Sequence, residues 1–294
     1  MVRADPMTIL PPSAGVIGWP IAQSKSPLIH RFWLARLGLD GDYGRFPVQP
    51  ARLGEAIRAL PALGLRGVNV TAPHKEAVIP FLDRLDPVAE RIGAVNTIRV
   101  EEDGMLAGYN TDAAGFLEPL RPLLAERHLF RMARIIGTGG AALAIAHALW
   151  SEGFAIVMVG RDPEKTRRLR ASVDPAEGPN SFTASLESFA EPLDFAWDDR
   201  SGVLDLLVNA TSLGMKGFPP LPIDFSHVPP GAHVYDAVYA PLETPLLAEA
   251  KLRGHPVIDG LSMLIGQAAQ AFELFFGAPP PREHDAELRA LLTA

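Results

Sequence analysis

Polar residues gather at a few places in this chain where apolar elements break off. Gln23-Ser24-Lys25-Ser26-Pro27, Asn69-Val-Thr71-Ala-Pro-His-Lys75, Asn96-Thr97 and Asn110-Thr-Asp112 hold the groups that could do chemistry. Lys75 offers an ammonium, Asp112 a carboxylate, and the Ser, Thr and Asn side chains offer neutral hydrogen-bonding groups. An ammonium can neutralise or protonate an oxygen that gains negative charge, as happens when hydride reaches a carbonyl carbon. A free lysine titrates near ~10.4, so work as a base would need desolvation or a cationic neighbour; a paired carboxylate would instead favour the ammonium as acid and electrostatic clamp. The neutral set suits a polyhydroxylated ligand, because a buried unpaired hydroxyl costs about 1–3 kcal/mol. Plainer roles are open to the same residues. Ser26 before Pro27 fits a helix N-cap, Lys75 an ordinary surface position, and Asp112 the cap of a helix starting near Ala113. Ser24 has no such role.

Further along, Gly137-Thr-Gly139-Gly140-Ala141-Ala142 fits the G-x-G-x-x-G/A pattern of a dinucleotide-binding turn. Gly137 permits the tight turn, Gly139 lets backbone approach a pyrophosphate, and Ala142 keeps the helix close to the strand, while amides at the helix start hold the anion. The pattern follows a β-branched run from Arg134 and opens an alanine-rich stretch, and a second apolar run, Ala155-Ile-Val-Met-Val159, arrives about twenty residues later. After that second run an acidic residue would bond the ribose of NAD, whereas an arginine would accommodate the extra phosphate of NADP. Gly160-Arg161-Asp162 supplies both, with Lys165 and Arg167 nearby, and the balance of cations favours NADP with NAD open.

Such residues need elements to hold them. Leu204–Asn209, Ala232–Asp236 and Pro256–Asp259 read as further strands, and their alternation with helix-like stretches marks a doubly wound α/β domain. Before residue 110, Pro27–Leu37 reads as a helix ended by Gly38, and Gly67–Val70 and Val95–Val100 as strands. Met263–Phe276 reads as a strongly apolar helix returning to the first domain, and the tail from Pro279, with Leu288, Leu291 and Leu292, as a docked amphipathic helix. The stretch 176–201 is the least informative. At 294 residues the chain is long enough for two domains, and 48% hydrophobic and 21% charged residues describe an ordinary globular protein. Proline, at 28 residues, is about twice its usual ~5% share and implies many loops. A net charge of -7 argues against a nucleic-acid surface. The absence of cysteine removes disulfides, thiolate metal sites and thiol nucleophiles. Neither a signal-peptide core in Met1–Pro12 nor a membrane-length apolar run is present, so a cytoplasmic location is expected. The eight histidines form no metal-binding spacing, and no metal is expected.

In order and spacing these motifs resemble the shikimate dehydrogenase family over most of the chain. Gly18-Trp-Pro-Ile-Ala-Gln-Ser24-Lys-Ser26-Pro-Leu-Ile-His30 is similar to its opening substrate motif, Asn69 to Lys75 to its lysine motif, Gly93-Ala-Val-Asn-Thr97 to its asparagine motif and Gly108-Tyr-Asn-Thr-Asp112 to its aspartate motif. Asn209-Ala-Thr-Ser-Leu-Gly-Met215, Asp236-Ala-Val-Tyr-Ala-Pro241 and Gly260-Leu-Ser-Met-Leu-Ile-Gly-Gln267 continue the likeness. The resemblance implies two α/β domains with a cleft between them: residues 1–111 plus 260–294 as the substrate-binding catalytic domain, and 112–259 as a Rossmann domain. It implies NADP-dependent reversible reduction of 3-dehydroshikimate to shikimate, toward chorismate and the aromatic amino acids. Lys75 and Asp112 would be the catalytic pair. Ser24, Ser26, Thr71, Asn96, Tyr239 and Gln267 would bind the substrate. Gly137, Gly139, Gly140 and Ala141 would form the phosphate turn, with Arg161 and Lys165 at the extra phosphate and Thr211, Met215 and Met263 near the nicotinamide. A monomer or homodimer is expected, with hinge motion between the domains.

The chain departs from the family's usual wording at Gln23, where His is common, at Leu143, where a basic residue often follows the turn, and at Asp162, where NADP-dependent members commonly carry a hydroxyl. The last keeps a quinate or quinate/shikimate dehydrogenase using NAD as an alternative, although Ser26, a threonine in some quinate-using relatives, favours shikimate. An alternative of another class is a non-catalytic protein that senses the metabolite, against which the presence of both Lys75 and Asp112 speaks.

Overall fold

The computed structural model describes residues 11–294, so nearly all of the Met1–Pro12 stretch considered above lies outside the described residues. The chain divides into two compact units, Met1–Thr111 with Ala268–Ala294, and Asp112–Gln267.

In the first unit the strands are β1 (Ser13–Gly18), β2 (Asp42–Pro47), β3 (Leu65–Val70), β4 (Arg84–Leu85), β5 (Thr97–Val100) and β6 (Leu106–Tyr109). They form one six-stranded sheet in the order β2-β1-β3-β5-β6-β4. β1 pairs in parallel with β2 and β3, while β5 runs antiparallel to both β3 and β6. The carboxyl ends of β1, β3 and β6 and the start of β5 therefore meet at one edge. On one face Ile17, Val68, Val70 and Ile98 pack with Ile57 and Leu60, and on the other Val16 and Tyr43 pack with Ala271 and Phe275. Burying these apolar side chains is the main drive for the layer. The helix read at Pro27–Leu37 runs Ser26–Leu37 and ends at Gly38 with φ of +62°, a conformation that favours glycine. Its N-cap is Lys25, with no side-chain cap bond, so the capping role open to Ser26 is not the one adopted. The tail helix Asp285–Thr293 buries Leu288 and Leu292, while Leu291 stays exposed.

The second unit holds β7 (Phe130–Ile136), β8 (Ala155–Gly160), β9 (Ser181–Ser185), β10 (Val203–Asn209), β11 (His233–Asp236) and β12 (Val257–Ile258). All pairs are parallel, in the order β12-β11-β10-β7-β8-β9. Strand order reverses between β7 and β10, and in such sheets ligands bind outside the carboxyl ends of the strands at that switch point. β9 lies in the stretch that carried no signal in sequence; it is an edge strand with mostly exposed residues, so no apolar run announces it. The long helix spans Gly260–Phe276, and the division between units falls within it, after Gln267, eight residues beyond the expected boundary at Gly260. The cause is packing. A Cβ on Gly260 would lie 2.5 Å from the Ala237 carbonyl oxygen, and one on Gly115, in helix Asp112–Leu117, would lie 2.4 Å from the Gln267 nitrogen. The first two turns of the helix thus press against elements of the second unit. Among the described residues no helix is long and apolar enough to cross a membrane, and no cluster of His, Asp or Glu could hold a metal ion.

Candidate functional site

At the carboxyl edge of the first sheet the motifs are joined by hydrogen bonds. Ser24 and Ser26 follow β1 on a loop where the Ser24 hydroxyl donates to Ser26 Oγ at 3.3 Å and accepts from the Ser26 amide. Asn69 ends β3 and is buried; its amide group donates to Thr97 Oγ1 at 2.9 Å and to the Asn96 carbonyl at 3.2 Å. Thr97 donates to Asn96 Oδ1 at 3.0 Å, and Asn96 Oδ1 accepts the Thr111 amide at 2.8 Å, while Asn96 Nδ2 donates to Thr111 Oγ1. Register explains the gathering, because Asn69 pairs with Thr97 and Thr97 with Tyr109 across three adjacent strands.

Thr71 follows β3, its amide bonded to the Ile17 carbonyl at 3.0 Å, and the chain then turns through the cis Ala72–Pro73 peptide into Lys75. Lys75 is partly buried, and its carbonyl accepts the Val95 amide at 2.8 Å, which ties the lysine loop to the residue before Asn96. Asp112 follows Thr111 directly and is the buried first residue of its helix rather than a cap preceding it. Hence Ser24, Ser26, Thr71, Lys75 and Asn96 share one edge of the first unit, and the chain leaves that edge into Asp112.

The remaining candidates lie in the second unit. Gly137 has φ of +128° and a Cβ there would stand 2.9 Å from the Ala210 carbonyl oxygen, so this turn, wedged between the ends of β7 and β10, excludes a side chain. Gly139, by contrast, is exposed and a Cβ on it would meet nothing within 4 Å; the space before it is what an approaching phosphate needs. Helix Gly140–Ser151 begins here with Gly139 as N-cap and no side-chain cap, leaving the amides of Gly140 and Ala141 to an anion. These features fit a bound dinucleotide. At the end of β8, Arg161 and Lys165 are exposed, whereas Arg167 pairs with Glu164 at 2.7 Å. Asp162 proves to be the N-cap of helix Pro163–Val173, accepting from the Glu164 and Lys165 amides at 3.0 and 3.3 Å. One oxygen of its carboxylate, Oδ1, is thereby engaged with its own helix.

Thr211 is held within its own turn. Its hydroxyl donates to Asn209 Oδ1 at 2.7 Å and accepts the Leu213 amide at 3.0 Å, which shapes the turn carrying Met215. Asn209 in turn donates to Asp236 Oδ1 at 2.9 Å, and Asp236 also accepts from Thr244 at 2.6 Å. Burial raises the Asp236 carboxyl to about 6, against the lowering effect of these donors. Tyr239 and Met215 are partly buried, Met263 and Gln267 largely buried, and the Gln267 amide donates to the Leu264 carbonyl at 2.8 Å. Asp112 sits one helical turn before Gly115, the residue that presses on Gln267.

Sequence reading missed the residues that hold these groups in place. His74 is fully buried with Nε2 at 2.7 Å from the Val48 carbonyl and pins the lysine loop. Tyr43 and Arg45, on an edge strand without an apolar run, bond to Asn69 and to the Ser24 carbonyl. Two aromatic residues in four, Tyr43 and Phe46, were the signal that could have marked that strand, and it is weak.

Residues 16–98 match the shikimate dehydrogenase substrate binding domain, and residues 260–287 the shikimate 5'-dehydrogenase C-terminal domain. The chain is 48% identical over 287 residues to the shikimate dehydrogenase (NADP(+)) of Sphingopyxis alaskensis, covering 96% of this chain and 97% of that one. It is 47% identical to the protein of the same name from Rhodospirillum rubrum, covering 94% and 95%. Among solved structures, shikimate 5-dehydrogenase of Thermus thermophilus in complex with NADP(H) and shikimate superposes with a TM-score of 0.76 at 36% identity, covering 95% of this chain and 99% of that one. With near-complete coverage at this identity, and with the motifs gathered as described, the chain belongs to the shikimate dehydrogenase family.

Proposed function

We propose that this protein catalyses the reversible NADP-dependent reduction of 3-dehydroshikimate to shikimate, a step toward chorismate and the aromatic amino acids. The observation that carries the reading is two hydrogen-bonded sets of neutral groups, Ser24 with Ser26 and Asn69 with Thr97, Asn96 and Thr111, the kind of surface a polyhydroxylated ring requires, on the same sheet edge as the tethered Lys75 loop. In this reading Ser24, Ser26, Thr71, Asn96, Tyr239 and Gln267 hold the substrate, the first unit being the substrate domain and the second the dinucleotide domain. Gly137, Gly139, Gly140 and Ala141 cradle the pyrophosphate, Arg161 and Lys165 meet the extra phosphate, and Met215 and Met263 line the nicotinamide. NADPH bound there supplies hydride to the 3-keto carbon. Lys75 meets the charge that develops on the keto oxygen and delivers the proton, so that C=O becomes CH–OH, and Asp112 completes the catalytic pair. Thr211, in the turn that carries Met215, lies near the nicotinamide as well.

The engagement of Asp162 Oδ1 as a helix cap, beside the exposed Arg161 and Lys165, supports NADP over NAD. A cytoplasmic location is part of the reading, supported by the absence of cysteine, and so is a monomer or homodimer. Purified protein assayed with shikimate and with quinate, each with NADP and NAD, tests the proposal. The highest kcat/KM is expected for shikimate with NADP; a higher value for quinate with NAD would make it a quinate dehydrogenase, and no turnover in any combination would leave the metabolite-sensing alternative.

A further inference from the structure

In the edge strand β2, Arg45 reaches the serine loop and Tyr43 reaches Asn69 and the helix that Ser26 opens. Tyr43 and Arg45 stand two positions apart and so share a face of the strand. Arg45 donates from Nε and Nη2 to the single carbonyl oxygen of Ser24, at 2.9 and 2.5 Å. Tyr43 is fully buried, stacked on the His30 ring at a centroid distance of 4.0 Å, and its hydroxyl donates to Asn69 Oδ1 at 2.6 Å. A hydroxyl has one proton to give. That of Tyr43 goes to Asn69 at the end of β3 and that of Ser24 to Ser26 Oγ, while the stack on His30 ties Tyr43 to the helix that Ser26 opens. From the opposite side Lys25 donates to the Leu292 carbonyl in the tail helix, so the loop is held at both flanks.

We propose that Tyr43 and Arg45 are positioning residues for the substrate: Arg45 fixes the backbone of the serine loop, and Tyr43 ties Asn69 to the helix that Ser26 opens, so that the serines and the Asn69 edge meet the substrate in one arrangement. Neither touches the reacting atoms. Both act on binding of the substrate and leave hydride transfer and the dinucleotide turn alone. This inference rests on the reading of the protein as a shikimate dehydrogenase.

Steady-state kinetics of Tyr43→Phe, Arg45→Ala and Arg45→Lys, beside the unsubstituted protein, test it. Phenylalanine keeps the stack on His30 and removes only the hydroxyl, and Arg45 is exposed, so its variants are expected to fold whatever the fate of Tyr43→Phe. Tyr43→Phe and Arg45→Ala are each expected to raise the KM for shikimate about five- to tenfold, the size of one lost hydrogen bond, with kcat within about twofold and the KM for NADP unchanged. Arg45→Lys, which can still donate to the Ser24 carbonyl, is expected to restore part of the shikimate KM. An unchanged shikimate KM in Arg45→Ala, or an equal deterioration of kcat and of both KM values, overturns the proposal while shikimate turnover by the unsubstituted protein leaves the functional reading standing. If the unsubstituted protein does not turn over shikimate, that reading fails and this inference falls with it.

Discussion

Lys75 stands at the carboxyl edge of the first sheet because β3 ends at Val70, the chain turns, and the lysine carbonyl is bonded to Val95 at 2.8 Å. The loop is held by its backbone and by the buried ring of His74, so removing the Lys75 side chain leaves the edge intact. Lys75→Ala is expected to lower kcat by roughly 10²–10⁴, the usual worth of a positioned proton donor, while shikimate affinity measured by calorimetric titration stays within a few-fold. Turnover equal to that of the unsubstituted protein would remove Lys75 from the chemistry. At this scale the chemical type of a residue is legible in sequence but its commitment is not. Ser26 and Asp162 illustrate both outcomes. Ser26 reads equally well as a helix cap and as a ligand group, and the structure leaves the cap to Lys25. Asp162 reads as a ribose acceptor and caps its own helix through Oδ1. The choice depends on where the first helical turn begins, which a shift of one residue reverses.

The turn from β7 into helix Gly140–Ser151 shows what an element needs from its residues. Gly137 combines φ of +128° with a Cβ position 2.9 Å from the Ala210 carbonyl, just past the neighbouring β10, so any side chain must push the two strand ends apart at the switch point. Gly137→Ala is expected to cost about 1–3 kcal/mol of stability in denaturant unfolding and to weaken NADP binding at least about tenfold, with shikimate binding unchanged. NADP affinity equal to that of the unsubstituted protein would place the dinucleotide elsewhere. Strand and helix are legible here because a β-branched run gives way to an alanine-rich one across the glycines. β2 and β9 are not legible, for a common reason. Each lies at a sheet edge with most of its residues exposed, so neither carries the apolar pattern by which a strand announces itself, and Tyr43 alone is buried in β2.

For the stability of the whole chain Asp236 has a particular consequence. Burial raises its carboxyl from the ordinary 3.8 to about 6, although Thr244, the Val238 amide and Asn209 all donate to it. Between these values the folded chain keeps a proton that the unfolded chain has shed, so this contribution is fully present below about pH 4, declines as pH rises and is gone above about pH 6. At about 1.4 kcal/mol per unit it amounts to on the order of 3 kcal/mol. Urea unfolding from pH 4 to 7 is expected to show the stability of the unsubstituted protein falling relative to Asp236→Asn by that order, and parallel pH profiles would refute the buried-charge account. Sequence by itself determined the chemistry available to this protein and the two α/β units that carry it, since residue type sets which protons and charges can move and apolar periodicity sets which elements form. Tertiary structure alone decided which polar groups face one another, because the pairing of Asn69 with Thr97, the reach of Tyr43 to Asn69 and of Arg45 to the serine loop, and the capping role of Asp162 depend on strand register and helix start. It also decided that the long helix belongs to both units, through glycines at 115 and 260 whose missing side chains matter only against neighbours distant in the chain.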